Sequence, residues 1–500
     1  MAINSAVDAS AVARVLGVAT NYRNLRGNSI VFLPQRIAVV GQGTTAAVYS
    51  TDKQQVTSAV QAGQLYGFGS PIHLAVQQLL PNNGDGVGTI PVTVYPLDDD
   101  GAAQTAAGDI TPSAAATGSA AFRVVANGVE SVQFSVSDTD TVATITAAIT
   151  TAVNNTLDMP IVATDNTTDV GVAAKWAGAS GNDISVSVVA TSEDNSGITF
   201  ALTQPTGGLA NPDVQLALDK IGDVWETMIL NCMDIADTAT LDTFANFGQG
   251  RWGALTRKPL VVFTGNTESD ASTAIATTDA RPNDYFNCQL TAPGSPNLPF
   301  VVAARQLARI APVANNNPAR DYGSQQAAGL TPGADGEQWD YLQRDTVVKG
   351  GSSTSIVRDG VVTLQDTVTM YHPNGDPTPA YRYVCDIVKL MNIIFNVSLQ
   401  FENPEWDGAP LIPDDQPTIN PDAKRPKDAV AAMASLIDGF GLNAIISDTD
   451  FAKENTFAMI NDQNPKRLDL NTTVKLSGNS NIISVGLDFG FFFGTAPVAA

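Results

Sequence analysis

The sequence predicts a multidomain protein of mixed α/β and α+β class: a discontinuous α/β core, an inserted β-rich domain and extended terminal arms. Three observations carry this. Short, fully apolar runs such as Ile37-Ala38-Val39-Val40 alternate with helical patterns on both sides of residues 101–207, as in a mainly parallel sheet covered on both faces. Between them the texture turns to Thr, Ser, Ala and Asp in short alternating runs. At 500 residues the chain is too long for one ordinary core.

In chain order, residues 1–29 are small and polar and read as an arm. A strand at 37–40 runs into Gly41-Gln42-Gly43. A helix over 52–66 follows, with Ser50 or Thr51 as its cap. A second helix opens at Ser70-Pro71, serine capping and proline at the first helical position, and stops at Pro81. A strand at 90–95 completes the unit. In 101–207, apolar alternation at 122–125 and 132–136 flanks Asn127-Gly128, a pair suited to a type I′ hairpin. A helix over 141–153 and strands at 184–189 and 198–202 fill the rest. A helix at 212–221, strands at 228–232, 260–263 and 285–290, and a helix over 300–310 halted by Pro312 resume the α/β pattern. After a Gly- and Asp-rich stretch (315–345), a strand spans 361–370. A helix over 380–397 aligns Val384, Ile387, Val388, Met391, Ile394 and Phe395 on one stripe. Another, from Pro426, carries Val430, Met433 and Ile437 and ends at Gly439. The domains expected are 1–29 (arm), 30–100 with 208–345 (discontinuous α/β), 101–207 (acidic insert), 346–470 (C-terminal core) and 471–500 (β-strand arm).

Net charge is −23 and the pI about 4.3, which argues against binding a phosphate backbone. Residues 101–200 hold only Arg123 and Lys175 as basic groups. The first 36 residues reverse the sign, with Arg14, Arg23, Arg26 and Arg36 against Asp8. Cys232, Cys288 and Cys385 are far apart and unpaired in spacing, as in a reduced, intracellular protein. No basic and apolar leader opens the chain, and no uninterrupted apolar run is long enough to span a bilayer.

Catalytic patterns are thin. His73 and His372 are the only histidines, and no GxSxG elbow occurs. Gly41-Gln42-Gly43-Thr44-Thr45-Ala46 follows a strand like a loose dinucleotide fingerprint, but no acidic residue stands about 20 positions on to hold a ribose. A nucleotide-binding enzyme therefore survives only as a rival reading. The runs Asp98-Asp99-Asp100 and Asp414-Asp415 read as solvated turns. No catalytic, cofactor or metal site is expected.

The chain ends on its clearest pattern. Ile483, Val485, Leu487, Phe489, Phe491 and Phe493 are apolar at every second position, the mark of a half-buried strand. It is either the last strand of the chain's own sheet or one donated to a neighbouring subunit.

Phe32-Leu33-Pro34-Gln35-Arg36-Ile37-Ala38-Val39-Val40-Gly41-Gln42-Gly43, then Tyr66-Gly67-Phe68-Gly69-Ser70-Pro71, resembles the N-terminal region of Mu-like phage contractile tail sheath proteins. Gly178-Ala179-Ser180-Gly181-Asn182-Asp183-Ile184, Gly207-Gly208-Leu209-Ala210-Asn211-Pro212-Asp213 and the region from Asp359-Gly360-Val361-Val362 through Tyr381-Arg382-Tyr383 to the terminal strand are similar too. The resemblance covers most of the chain. It implies a structural subunit that polymerises helically around a tail tube, with a subtilisin-like middle scaffold lacking a triad. Contraction would drive the tube through the host envelope and lead to genome ejection. It implies strands donated from about 12–33 (Val15, Val18, Ile30, Phe32) and 482–493. The implied partners are further copies of the chain, the tail tube, baseplate and tail terminator proteins, with no direct contact to nucleic acid or membrane. Its place would be the virion tail, and the host cytoplasm during assembly. The sheath of a phage-tail-like bacteriocin or injection system would have the same subunit chemistry.

Overall fold

The computed structural model describes residues 30–373, 381–487 and 489. Strand β1 (Ile37–Gln42) is buried along its whole length because its apolar run leaves no face for water. After it come β2 (Gln54–Val56), α1 (Ala59–Tyr66), α2 (Pro71–Leu79) and β3 (Val92–Leu97). The helix expected over 52–66 is thus corrected. Residues 54–56 pair antiparallel with β3, and Ser58, accepting from the Gln61 amide at 3.2 Å, starts the helix later. Ser70 caps α2 as expected, accepting from the His73 amide.

The inserted stretch holds β4 (Ala107–Pro112), β5 (Ala120–Ala126), β6 (Val129–Glu130), β7 (Phe134–Val136), α3 (Val142–Asn154), β8 (Ile161–Asp165), β9 (Val170–Ala174), β10 (Val186–Ala190) and β11 (Phe200–Thr206). They form two antiparallel four-stranded sheets: β10-β5-β6 with β7 also on β5, and β11-β4-β9-β8. Asn127 and Gly128 both take positive φ (49° and 82°), the type I′ geometry their sequence calls for. Phe122 packs on Phe134 and Phe200, with ring centroids 5.8 and 5.1 Å away. β4, β8 and β9 escape the sequence reading because their Ala, Gly and Thr content dilutes the alternation.

The chain then returns with β12 (Met228–Asn231), α4 (Thr238–Trp252), β13 (Val261–Asn266), β14 (Asn287–Thr291), α5 (Pro299–Asn316) and α6 (Tyr341–Lys349). The helix expected at 212–221 shrinks to one turn, Gln215–Leu218. The six-stranded sheet runs β14-β13-β12-β1-β3-β2, parallel except for β2. Its central strands come from both sides of the insert, and α2 and α5 pack on it and on each other. Pro312 does not stop α5. A proline removes one backbone bond, whereas Leu307, Ile310, Ala311 and Ala314 are fully buried and hold the helix together across it.

The last region contributes β15 (Thr354–Arg358), β16 (Val361–Asp366), α7 (Val384–Phe401), α8 (Pro426–Leu442), α9 (Thr449–Glu454), β17 (Thr456–Ile460) and β18 (Leu468–Thr472). β15–β16 and β17–β18 are separate two-stranded hairpins. Gly439 lies inside α8, which continues until the Asn443 side chain donates to the Gly439 carbonyl. Met433, Ile437, Phe440, Ile445, Ile446 and Ala452 make a second core, which also takes in Ile30. Residues 483–487 and 489, expected on a strand, lie on none.

Gly265 in β13 fixes how α5 meets the sheet. A Cβ there would fall 1.7 Å from the Pro299 carbonyl oxygen, so backbone rather than a side chain would have to move. Gly265→Ala is expected to cost at least about 2 kcal/mol, read as a lowered urea midpoint; an unchanged midpoint would mean that α5 is not seated this closely.

Candidate assembly surface

Helix α7 is apolar enough, by length and a mean hydropathy of 1.4, to cross a membrane. Its burial pattern gives it a different use. Lys389, Asn392 and Asn396 stand at i, i+3 and i+7, one stripe of the helix, and all three are buried. Each holds backbone that no sheet holds. Asn396 accepts from the Val31 amide at 2.9 Å and donates to the Val31 carbonyl at 2.8 Å, a rung of strand pairing made by a side chain. Asn392 accepts from the Leu33 amide at 2.8 Å, and Asn315 of α5 from the Gln35 amide at 3.1 Å. The chain is thereby pinned where it leaves residues 1–29.

The other end is pinned three residues nearer the start of the same helix, at Lys389. Lys389 Nζ donates to Asp386 Oδ1 (2.8 Å), the Ser477 carbonyl (2.6 Å) and Asn479 Oδ1 (2.6 Å), with its side chain fully buried. All three ammonium protons are satisfied, the condition for burying a charge. Asn479 in turn donates to the Ala319 carbonyl at 2.9 Å. Beyond it the chain runs over the surface with its apolar side chains in solvent. Ile483, Val485, Leu487 and Phe489 are 80, 77, 78 and 93% exposed.

The residues expected in donated strands thus divide. Ile483, Val485, Leu487 and Phe489 are unburied and unpaired here, so they are not a last strand of the chain's own sheet. Phe491, Phe493, Val15 and Val18 lie outside the described residues. Ile30 and Phe32 pack on the chain's own second core, and neither is on a strand in the single chain. The amides of Asn392 and Asn396 claim the backbone at Val31 and Leu33, leaving less of it to pair with another subunit.

The hairpin β17–β18 has an unpaired outer edge on each strand among the described residues. Phe457 and Met459 are exposed on its outer face. Between it and the C-terminal turns of α7 lies an open groove of about 960 Å³, lined by Val397, Phe401, Trp406, Leu468 and Leu470, with Arg257 at its rim. The sequence reading passed over this hairpin. Its signal is the Thr-Phe-Ala-Met-Ile alternation, the Asn461-Asp462-Gln463-Asn464-Pro465 turn and Leu468-Asp469-Leu470.

The Gly41–Ala46 turn is occupied by the protein itself. The Tyr49 hydroxyl accepts from the Gly43 amide and donates to the Leu97 carbonyl, and a Cβ at Gly43 would meet the Tyr49 ring at 2.3 Å. Asp99 accepts from Gln42 and Thr45, both at 2.6 Å, setting a carboxylate where a phosphate would need cations or free amides. No helix starts at the turn, since α1 begins at Ala59. His73 is buried, accepts from the Gly69 amide, and is held below its usual pKa by desolvation. His372 Nδ1 donates to the Met370 carbonyl. Asp100 and Asp414 bond backbone amides in turns. Among the described residues, no group of three or more His, Cys, Asp or Glu could hold a metal ion. All three cysteines are buried and free, and burial pushes the Cys288 thiol up to about 12.

A polar cleft of about 780 Å³ lies past the C-terminal ends of β12 and β13, where the insert meets the α/β sheet. Burial, with the nearby Asp234 charge, raises the Asp183 carboxyl to about 7.

Two open hairpin edges and an exposed alternating tail leave backbone and apolar groups uncovered at the surface, and both exits of the chain are anchored on α7. No family model matches the chain. The resemblance read from its motifs is borne out by a curated relative, the Mu-like prophage FluMu tail sheath protein of Haemophilus influenzae, 26% identical over 353 residues and covering 69% of this chain and 70% of that protein. Among solved structures, a sheath tail protein from Listeria innocua is similar with a TM-score of 0.49 at 12% identity, over 90% of this chain and 94% of that one. The sheath of an extracellular contractile injection system in its contracted state is similar with a TM-score of 0.47 at 10% identity, over 96% and 98%.

Two outcomes follow from this geometry. Asn396→Ala should cost about 1–3 kcal/mol locally, because it orphans the Val31 amide and carbonyl; hydrogen exchange at Val31 and Leu33 should quicken with little change in the sheet. Asp183 has a raised folded pKa, so the unfolded chain releases this proton first. The stability it withholds therefore grows as pH rises from about 4 to about 7. Asp183→Asn should raise the melting temperature more at pH 8 than at pH 4; an equal gain at both would show that the carboxyl titrates normally.

Proposed function

We propose that this chain is a structural subunit of a contractile tail sheath, polymerising helically around a tail tube and doing no covalent chemistry on a substrate. The observation that carries the reading is the exposed alternating segment from Ile483, leaving the body at a buried anchor, in a chain similar to a Mu-like tail sheath protein. An apolar strand in solvent is an aggregation hazard unless a partner covers it. The β17–β18 edges and the groove beside them are the complementary feature. A strand laid along one edge would gain ladder bonds and turn Ile483, Val485 and Leu487 towards Phe401, Trp406 and Leu470, each side chain contributing about 1.5–3 kcal/mol on full burial.

In this reading the discontinuous α/β body (30–100 with 208–345) and the C-terminal core (346–470) form the wall of the tube, and the insert of 101–207 sits apart from the arms. Residues 1–29 and 482–493 supply the strands that link copies. Val15 and Val18 belong to the first arm and Phe491 and Phe493 to the second. Tail tube, baseplate and tail terminator proteins are its other partners. Contraction then exchanges one set of inter-subunit contacts for a more favourable set while the donated strands keep copies joined.

Negative-stain electron microscopy of the purified full chain should show long striated tubes at raised concentration. Deleting residues 482–500 should leave a chain with an unchanged melting temperature that forms none. Normal tubes from the truncated chain would rule out strand donation by this arm.

A further inference from the structure

The anchor of the C-terminal segment has the composition of a reactive site. Lys389 Nζ lies 2.6 Å from the side-chain carbonyl oxygen of Asn479 and 2.8 Å from Asp386 Oδ1. The lysine side chain is fully buried, whereas Asp386 is about a quarter exposed. Cys385 Sγ stands 3.5 Å from the same Asn479 oxygen, and burial beside Asp321 and Asp386 keeps this thiol protonated and able to donate. The Asn479 amide nitrogen is held by the Ala319 carbonyl, which fixes the oxygen towards the lysine. The Tyr322 hydroxyl, buried without a partner among the described residues, borders the same group.

We propose that Lys389 and Asn479 join in an intramolecular isopeptide bond, with Asp386 as the catalytic carboxyl. Nζ passes a proton to Asp386, converting an ion pair into a neutral amine and acid. With the lysine side chain fully buried, the neutral amine loses much less from burial than the charged one. The Nζ lone pair then attacks the Asn479 side-chain carbonyl carbon. The oxygen takes up charge facing the Cys385 thiol and the Asp386 acid. The carbon–Nδ2 bond breaks, and the nitrogen leaves as ammonium with the protons released by Nζ. Asp386 returns to the carboxylate, and the new amide keeps the old oxygen as its carbonyl. No oxidant or cofactor enters the balance. Fixed neighbours supply the effective concentration that makes amine attack on an amide feasible. An open groove of about 850 Å³, lined by Tyr381, Asp386, Leu476, Asn479 and Ile482, gives the ammonia an exit.

The bond would sit four residues before Ile483, making the link between α7 and the arm covalent. This goes beyond the assembly reading and is tested without it, because mass is read on the isolated full chain. Intact-mass spectrometry should find the protein lighter by one ammonia, and a digest should yield a branched peptide joining Lys389 to Asn479. Asn479→Ser and Asp386→Asn should each restore the unreacted mass for their sequence. A wild-type chain at its full sequence mass, both freshly purified and after prolonged incubation, overturns the proposal and leaves an ion-paired anchor; this measurement needs no variant to fold. Ammonia loss persisting in Asp386→Asn would overturn the role given to that carboxyl.

Discussion

Both ends of the described body hang from one stripe of α7. Lys389, Asn392 and Asn396 are polar residues in a helix whose other buried positions are Val, Cys, Ile and Met. Apolar residues there would pack the helix at least as well. They would also abandon the backbone at Val31, Leu33 and Ser477, which no strand pairs. Each of these hydrogen bonds contributes about 1 kcal/mol net, but the cost of losing one buried partner is larger, so the stripe works as a unit. Its effect is positional. The two exits of the chain are fixed on one rigid element, three and seven residues apart along a helix, and in the proposed sheath a load on one arm would pass to the other through about two turns of α7.

Much of the body was legible because it obeys simple periodicities. Ile37–Val40, Met228–Leu230 and Val261–Phe263 are apolar on both faces and sit in the buried parallel sheet, and Asn127-Gly128 makes its tight turn. The misses have physical causes. The helix expected over 52–66 starts late because Val56 completes an edge strand and Ser58 is the better cap. Pro312 read as a stop, yet burial of Ile310, Ala311 and Ala314 outweighs one lost bond. Helices α4 and α6 went unread because few of their residues are apolar. In the candidate surface, the alternation of the tail was plain from sequence. The anchors were not: Lys389 and Asn396 look like ordinary helix residues until the segments they hold, from Val31 to Asn479, come together from opposite ends of the chain.

The crevice past the C-terminal ends of a parallel sheet is where such folds usually bind ligands, and here it is spent on the chain itself. Tyr49 and Asp99 close the β1 turn, and the start of α5 rides directly on Gly265. What stays open, around Asp183 and Asp234, is polar and carries no cationic side chain in its lining. The sheet alone therefore carries no function.

The remaining tension lies between solubility and assembly. A net charge of −23 keeps copies apart, while Ile483, Val485, Leu487 and Phe489 stand in water and favour association. Generic apolar contact would resolve this as aggregation. In the proposed assembly, pairing along an edge of β17–β18 would resolve it with direction, because ladder bonds fix both orientation and register, and a one-residue slip would turn the apolar set away from the groove. Such a link depends on backbone geometry more than on side-chain surfaces. It can therefore outlast a rearrangement in which the faces of neighbouring bodies change partners, provided the segment between anchor and strand is short enough to keep the pairing in place. Asn479 and Ile483 are only four residues apart.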